Sequence, residues 1–317
     1  MKLNGIDHVG VIGTDMIGTS LGVLLTGHGY RTTLLAVDET QIVESRKKFD
    51  SFYEAMVENQ VMTQAQADVC KRYISFTTDY AMLRDVDYVF EAVVEQLPVK
   101  QEVYRRLEAC NPKLRLIMSV SSAIQPEALA SGMGNYKDRI LVTHPFFPPH
   151  LIPYFEIAAS PQDTAPGMTD LAKEFLLALD RKPVVLKKSV PGFLGTRLQF
   201  AMAREAVNIV QSGIADPEDV DLAAMYSFMP RYTKIGIFEH FDNGGLELFA
   251  TTMKNLFHYL SQEQGIPPIV QEKLAKGELG VRTGKGFRNW HGADLEDLSR
   301  RTAEPWWPMI HWDLPTE

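Results

Sequence analysis

The chain has 317 residues, 45% hydrophobic and 23% charged, the composition of a soluble globular protein long enough for two domains and a sizeable core. A net charge of −8 argues against nucleic acid or an anionic membrane surface as the main partner, and requires local positive groups for any anionic ligand. No apolar run reaches transmembrane length, and the two cysteines, Cys70 and Cys110, lack metal-type spacing and fit packed thiols in a reducing compartment.

The first residues run directly into an apolar strand, Ile6-Asp7-His8-Val9-Gly10-Val11-Ile12-Gly13, rather than a cleavable leader, so the cytoplasm is the expected location. A helix is predicted from Asp15 to Gly27, with Ile17, Leu21, Leu24 and Leu25 on one face and Gly27-His28-Gly29 as its stop. Residues 30–37 form a second strand and complete a βαβ unit. A charged, mostly helical excursion follows over 39–76; strands are then predicted over 86–93, 114–119 and 140–143, with a helix over 98–109. Strands alternating with helices imply a parallel sheet covered on both faces.

Past residue 190 the strand signals fade. Helices are predicted over 193–212, where Leu198, Met202, Ala206, Ile209 and Val210 fall at helical spacing, after the cap Asp216-Pro217-Glu218-Asp219, and over 246–264. The expected division is a sheet domain over 1–189 and a helical domain over 190–317, ending in an irregular Trp- and Pro-rich surface tail over 304–317. Met202, Met225, Met229 and Met253 suit core filling or a subunit interface.

The loop Gly13-Thr14-Asp15-Met16-Ile17-Gly18 follows a strand and opens a helix, the setting of the G-x-G-x-x-G dinucleotide loop. It predicts a Rossmann-type doubly wound sheet followed by an all-α C-terminal domain, with all six loop residues near the cofactor. Asp15 replaces the middle glycine. A carboxylate 4 Å from a phosphate charge costs roughly 1 kcal/mol in water and about 4 at an effective dielectric of 20, so Asp15 is expected to swing outward or cap the helix. The acid that binds the ribose is expected near Ala36; the nearest acids are Asp38 and Glu39, which makes Asp38 the candidate. No arginine closely follows Leu35, which favours NAD over its 2′-phosphorylated form.

Thr143-His144-Pro145-Phe146-Phe147-Pro148-Pro149 follows the apolar strand Ile140-Leu141-Val142, and Glu156 lies twelve residues past His144 inside another apolar run. A carboxylate on one ring nitrogen of a histidine fixes which nitrogen takes a proton, so the two make a base and its orienter if the fold joins them. A histidine in such a setting is commonly a packed residue; the dinucleotide loop upstream is what points to chemistry. His150, His240 and His258 show no ligand spacing, and no metal is expected.

Phe90-Glu91-Ala92-Val93-Val94-Glu95-Gln96-Leu97-Pro98-Val99-Lys100 resembles the 3-hydroxyacyl-CoA dehydrogenase family, and the resemblance runs over nearly the whole chain. Ser119-Val120-Ser121-Ser122 resembles the family's S-N-T-S segment, Val190-Pro191-Gly192-Phe193-Leu194 with Arg197 its P-G-F-x-x-x-R helical start, and Gly280–Phe287 its T-G-x-G-F segment. The His-Pro start and Pro-Pro end of the His144 loop are closer to its gulonate-type branch, which uses free hydroxy acids. The resemblance implies His144 as catalytic base, Glu156 as its carboxylate partner and Ser122 as a donor to the substrate oxygen. It implies Glu91, Ala92, Lys100 and Ser119 near NAD, and a homodimer built through the helical domain. Lys100 reads equally well as a solvated helix lysine. Arg197 and Arg231 are candidates to pair with a substrate carboxylate, Arg231 rather for a structural pair. Two departures fall at substrate positions: Phe147 and Thr196 stand where the family has asparagine. Losing one well-placed oxyanion donor costs about 10²–10³ in rate. The expected activity is NAD-dependent oxidation of the 3-hydroxyl of a hydroxy acid or hydroxyacyl thioester. The alternative, motivated by Asp15, Ala36, Phe147 and Thr196, is a non-catalytic member, or one doing acid–base enolisation, with weakened dinucleotide binding.

Overall fold

The computed structural model describes residues 2–315; Thr316 and Glu317 of the expected tail lie outside the described residues. The chain separates into two compact units, one of Met1–Gly195 with Leu298–Glu317 and one of Thr196–Asp297. By contacts the sheet unit extends to Gly195 and takes in the residues from Leu298 onward.

The first unit is built on one eight-stranded sheet in the order β3-β2-β1-β4-β5-β6-β7-β8. Its strands are β1 (His8–Ile12), β2 (Arg31–Leu35), β3 (Ile74–Thr77), β4 (Tyr88–Glu91), β5 (Leu116–Ser119), β6 (Ile140–Pro145), β7 (Tyr154–Ala158) and β8 (Lys182–Val185). Its helices are α1 (Met16–Gly27), α2 (Glu39–Glu58), α3 (Gln64–Lys71), α4 (Leu97–Cys110), α5 (Pro126–Ala130) and α6 (Met168–Ala178). All pairings are parallel except β6 with β7, so the sheet is mixed rather than wholly parallel.

Side chains alternate across the strands and fill two cores. Val9, Val11, Tyr88, Phe90, Leu116 and Met118 pack with Leu21 and Leu24 of α1 and Phe175 of α6. Ile12, Val89, Ile117 and Val142 face the other way, onto Val103 and Leu107 of α4 and Leu129 of α5. Leu21, Leu24 and Leu25 of α1 are wholly buried, each worth about 1.5–3 kcal/mol of transfer free energy. A third cluster joins Phe49, Tyr53 and Met56 of α2 to Ala67 and Cys70 of α3 and to the C-terminal Ile310. The tail over 304–315 is more anchored than a surface tail: Trp312 sits in ring contact with His28 at 5.0 Å. Its ring occupies the space a Cβ at Gly27 would need, 2.3 Å away.

The second unit contains most of α7 (Gly195–Gln211), then α8 (Pro217–Tyr226), α9 (Ile237–Gly244), α10 (Leu246–Leu256) and α11 (Pro268–Ala275); α12 (Leu295–Ala303) leads back to the first unit. The helix expected over 246–264 stops at Leu256: a 3-10 turn follows over Phe257–Tyr259, and the Ser261 amide then donates to Glu205 rather than continuing the ladder. Phe241 stacks on Phe249 at 4.2 Å, and Arg288 pairs with Glu218 and Asp221. None of the helices α7 to α11 carries a buried residue among those described. Phe200, Phe238 and Leu248 are 65%, 80% and 64% exposed, an unusually apolar surface for a monomer.

Candidate active site and dinucleotide cavity

The loop between β1 and α1 lies at the carboxyl edge of the sheet, where open α/β folds bind ligands. Gly13 has φ +103°, and a Cβ there would meet the Ala92 carbonyl oxygen at 2.3 Å. A Cβ on Gly18 would lie 1.9 Å from the Gly13 carbonyl oxygen. Only glycine fits either position, so the chain keeps the tight turn and the close packing that a dinucleotide loop requires.

A cavity of about 630 Å³ opens over this loop, lined among others by Gly13, Thr14, Asp15, Ala36, Val37 and Ala92. Its size and glycine-lined wall fit a dinucleotide, with the first turn of α1 available to a pyrophosphate. Asp15 is the N-cap residue of α1 but makes no side-chain capping bond. Its side chain is 87% exposed and pairs with Lys48 of α2 at 3.5 Å. Of the two fates expected for it, the outward one is observed. Met16 and Ile17 begin α1, Met16 exposed and Ile17 packed against the core.

Asp38 is the N-cap of α2, its Oδ1 accepting from the Gln41 amide at 2.9 Å. Gln41, which sequence reasoning passed over, lines the cavity. The Gln41 side-chain Oε1 accepts from Thr14 Oγ1 at 3.2 Å and from the Val37 amide at 3.3 Å, tying the glycine loop to the end of β2.

Glu91, Lys100 and Ser119, expected beside the cofactor, are wholly buried, with Lys100 and Ser119 each bonded to Glu91. Glu91 accepts four hydrogen bonds: from the Val93 amide and Lys100 Nζ, each at 2.8 Å, and from Tyr104 OH and Ser119 Oγ, each at 2.7 Å. Lys100 also reaches Glu95 Oε2 at 3.3 Å. The reading of Lys100 as a solvated lysine fails on its complete burial. Glu95, unremarked in the sequence although it sits inside the Phe90–Lys100 motif, accepts from Ser121 Oγ at 2.5 Å and from the amides of Ser122, Ala123 and Ile124. The network locks the carboxyl ends of β4 and β5 and the loops that leave them, since buried charges persist only when paired and hydrogen-bonded.

His144 and Glu156 meet because β6 and β7 run antiparallel with these two residues directly opposite each other. The intervening Phe146–Pro153 turn supplies the reversal, with a cis peptide at Phe147–Pro148. His144 is 7% exposed, its ring near Phe146 and Phe193, and its Nδ1 lies 3.1 Å from Glu156 Oε2. An ionised carboxylate only accepts, so Nδ1 is the donor of this pair. Glu156 is fully buried. Its Oε1 accepts from Tyr154 OH at 2.9 Å, the Leu194 amide at 2.8 Å and the Gly195 amide at 2.5 Å. Burial pushes its pKa up, but the bonds from His144, Gly195, Tyr154 and Leu194 outweigh it and hold the carboxyl below its ordinary range. Gly195 opens α7, so the helix N-terminus adds positive potential at the carboxylate. Burial and the adjoining carboxylate raise the Tyr154 phenol, which stays a donor.

The remaining expected residues stand as follows. Ser122 is exposed, its amide held by Glu95. Phe147 is 47% exposed. Thr196 and Arg197 fall in the first turn of α7, in the second unit. Arg231 bonds His240 and the Ser227 carbonyl. His150 is buried against Ser20, as a packing residue, and Cys70 and Cys110 are free thiols. Among the described residues no group of histidine, cysteine and acidic side chains is placed to hold a metal. Among the described residues no helix is long and apolar enough to cross a membrane.

A cavity walled in part by Gly13 at the carboxyl edge of a doubly wound sheet is the setting in which such folds bind dinucleotides. The model of the 3-hydroxyacyl-CoA dehydrogenase NAD binding domain matches residues 8–189, and that of the same enzymes' C-terminal domain matches residues 192–290. The chain belongs to the 3-hydroxyacyl-CoA dehydrogenase family, and its sheet unit is an NAD-binding domain. Among relatives, 5-formyl-3-hydroxy-2-methylpyridine 4-carboxylate 5-dehydrogenase of Mesorhizobium japonicum is 28% identical over 89% of this chain and 90% of its own. L-carnitine dehydrogenase of Oceanobacillus iheyensis is 34% identical over 71% and 76%, and lambda-crystallin of Oryctolagus cuniculus 28% over 72% of each. A solved structure of a 5-formyl-3-hydroxy-2-methylpyridine 4-carboxylic acid 5-dehydrogenase, described as an NAD+-dependent dismutase, superposes with a TM-score of 0.86 at 26% identity, covering 96% of this chain and 97% of that one.

Proposed function

We propose that this protein oxidises the secondary hydroxyl of a small hydroxy acid to the keto acid with NAD, and that His144 is the base. The observation that carries the reading is the buried His144–Glu156 pair at 3.1 Å, joined through Nδ1. In the reaction, Nε2 takes the hydroxyl proton and Glu156 stabilises the imidazolium that results. The donors on Glu156 Oε1 keep that carboxylate fixed and ionised throughout. The nicotinamide, when bound, accepts the hydride. Gly13 and Thr14 would hold the pyrophosphate side of the cofactor with Asp15 beside them, Val37, Asp38 and Gln41 the ribose side, and Ala92 the wall of the cavity. Glu91, Lys100 and Ser119 act through the backbone they brace.

A free acid is favoured over an acyl thioester. The relatives matched over most of their length include enzymes named for a pyridine carboxylate and for carnitine. Phe147, in place of an amide, removes one polar group from the His144 loop. Ser122 supplies a hydroxyl for the substrate oxygen. The uncovered apolar faces of α7 to α11 support a homodimer made through the helical unit, with sedimentation at micromolar concentration as its check.

The test is a titration with NADH and NADPH, followed by energy transfer from the tryptophans, and then turnover of a panel of hydroxy acids and one 3-hydroxyacyl-CoA. NADH binding with turnover of a free acid supports the reading; binding of neither nucleotide overturns it.

A further inference from the structure

The second glycine of the dinucleotide loop is replaced by an acid, and the fold answers with a base from a different element. Asp15 caps α1 in an ordinary extended conformation, φ −72° and ψ −173°, which any residue adopts. The substitution therefore leaves the backbone unstrained and changes only the charge at the loop. Its carboxylate is turned to solvent, and Lys48 of α2 lies 3.5 Å from it, the Lys48 side chain being 32% exposed. Both residues line the dinucleotide cavity, as does Glu44 one turn before Lys48. Without Lys48 the mouth of the cavity would present Asp15 and Glu44 to an incoming dianionic pyrophosphate, in a chain that is already net negative.

We propose that Lys48 is a positioning and specificity residue for the cofactor: it neutralises Asp15 and so admits a pyrophosphate to a loop that has lost its middle glycine. The inference rests on the reading of the cavity as an NAD site. It predicts coupling between two side chains on different helices, because the harm of losing Lys48 comes from the charge it leaves bare on Asp15. An exposed pair of this kind adds little to folding stability, so its value lies in binding and is screened by salt.

The experiment is a double-mutant cycle on the full chain with Lys48→Met, Asp15→Asn and the double variant, measuring Kd for NADH, ADP-ribose and adenosine by tryptophan fluorescence and calorimetry at low and high salt. Thermal midpoints serve as the folding control. Lys48→Met should weaken NADH and ADP-ribose about 5–10-fold at low salt and adenosine, which lacks phosphate, less than 2-fold. In the Asp15→Asn background the same change should cost less than 2-fold, and high salt should compress all these differences. Unchanged NADH affinity in Lys48→Met, or an equal loss in both backgrounds, overturns the proposal. Failure of the unsubstituted protein to bind NADH at all overturns instead the cofactor reading beneath it.

Discussion

The Gly195 amide, the first of helix α7, donates to Glu156 Oε1 at 2.5 Å. One oxygen of that buried carboxylate is thus committed to the start of a helix and the other to a histidine ring, so a single residue couples the end of the sheet to the proposed base.

Replacing Glu156 with Gln keeps the shape and removes the charge. The amide carbonyl can still accept from Leu194 and Gly195, which leaves the amide NH2 facing His144 Nδ1 and drives the ring proton to Nε2. The expected result is a fall in kcat of about 10³–10⁴-fold, the size seen when a triad carboxylate is replaced by its amide, with NADH affinity unchanged. Because folding lowers the Glu156 pKa, its stabilising contribution is present above the ordinary carboxyl value of 4.5 and is lost as pH falls through the lower folded value. Acid unfolding of Glu156→Gln should accordingly be less steep below pH 4.5 than that of the parent.

A second pH effect comes from two histidines distant from the chemistry. Burial, partly offset by a bond to the Leu24 carbonyl, holds His28 down at about 4. Burial and then the Arg181 charge hold His150 at about 3. Both must stay neutral in the fold while the unfolded chain protonates them near 6.5, so stability is complete above that pH and drains away as pH falls from 6.5 towards 4 and 3. For His28 the shift corresponds to about 3 kcal/mol. Denaturant midpoints should drop between pH 7 and 4, and His28→Gln should flatten that slope; a slope unchanged by the substitution would count against this assignment.

The Glu91 cluster sets up a graded series. Tyr104→Phe removes one of four donors and should cost about 1–3 kcal/mol in urea unfolding. Lys100→Met strips a wholly buried carboxylate of its cation and should cost about 3–5 kcal/mol. The reverse order of severity would mean that Lys100 is not the ion that balances Glu91.

Gly27→Ala would drive a methyl to 2.3 Å from the Trp312 ring. It should lower stability by about 1–3 kcal/mol. Adding Trp312→Ala should recover part of that loss, since it frees the space. Strictly additive losses would show that the tail does not pack there in solution.

Much of the frame was legible in the sequence because it is written in local pattern. The β1–loop–α1 unit shows a strand, a glycine turn and a helical stripe within about one βαβ half, and β4, β5 and β6 are continuous apolar runs. The edge strands were not legible. β3 has an exposed Ser75 between half-buried neighbours, and β8 begins Lys182-Pro183, so neither offers the apolar run of a central strand. The antiparallel β7 was legible only as an apolar stretch, yet its register is what places Glu156 across from His144. The roles of Gln41, Lys48 and Glu95 depend on partners 26 to 33 residues distant or on backbone amides, which no spacing rule encodes. The helical unit showed its helices through periodicity, but α10 ends at Leu256, and the Ser261 amide beyond it bonds Glu205, 56 residues away in sequence.

The central claim is that His144 moves the hydroxyl proton. The most direct measurement is steady-state NADH formation from the best hydroxy acid of the panel by the parent protein and by His144→Asn, alongside NADH affinity for each. A loss of at least about 10³-fold in kcat with an unaltered Kd for NADH is expected. Turnover by His144→Asn within tenfold of the parent would contradict it.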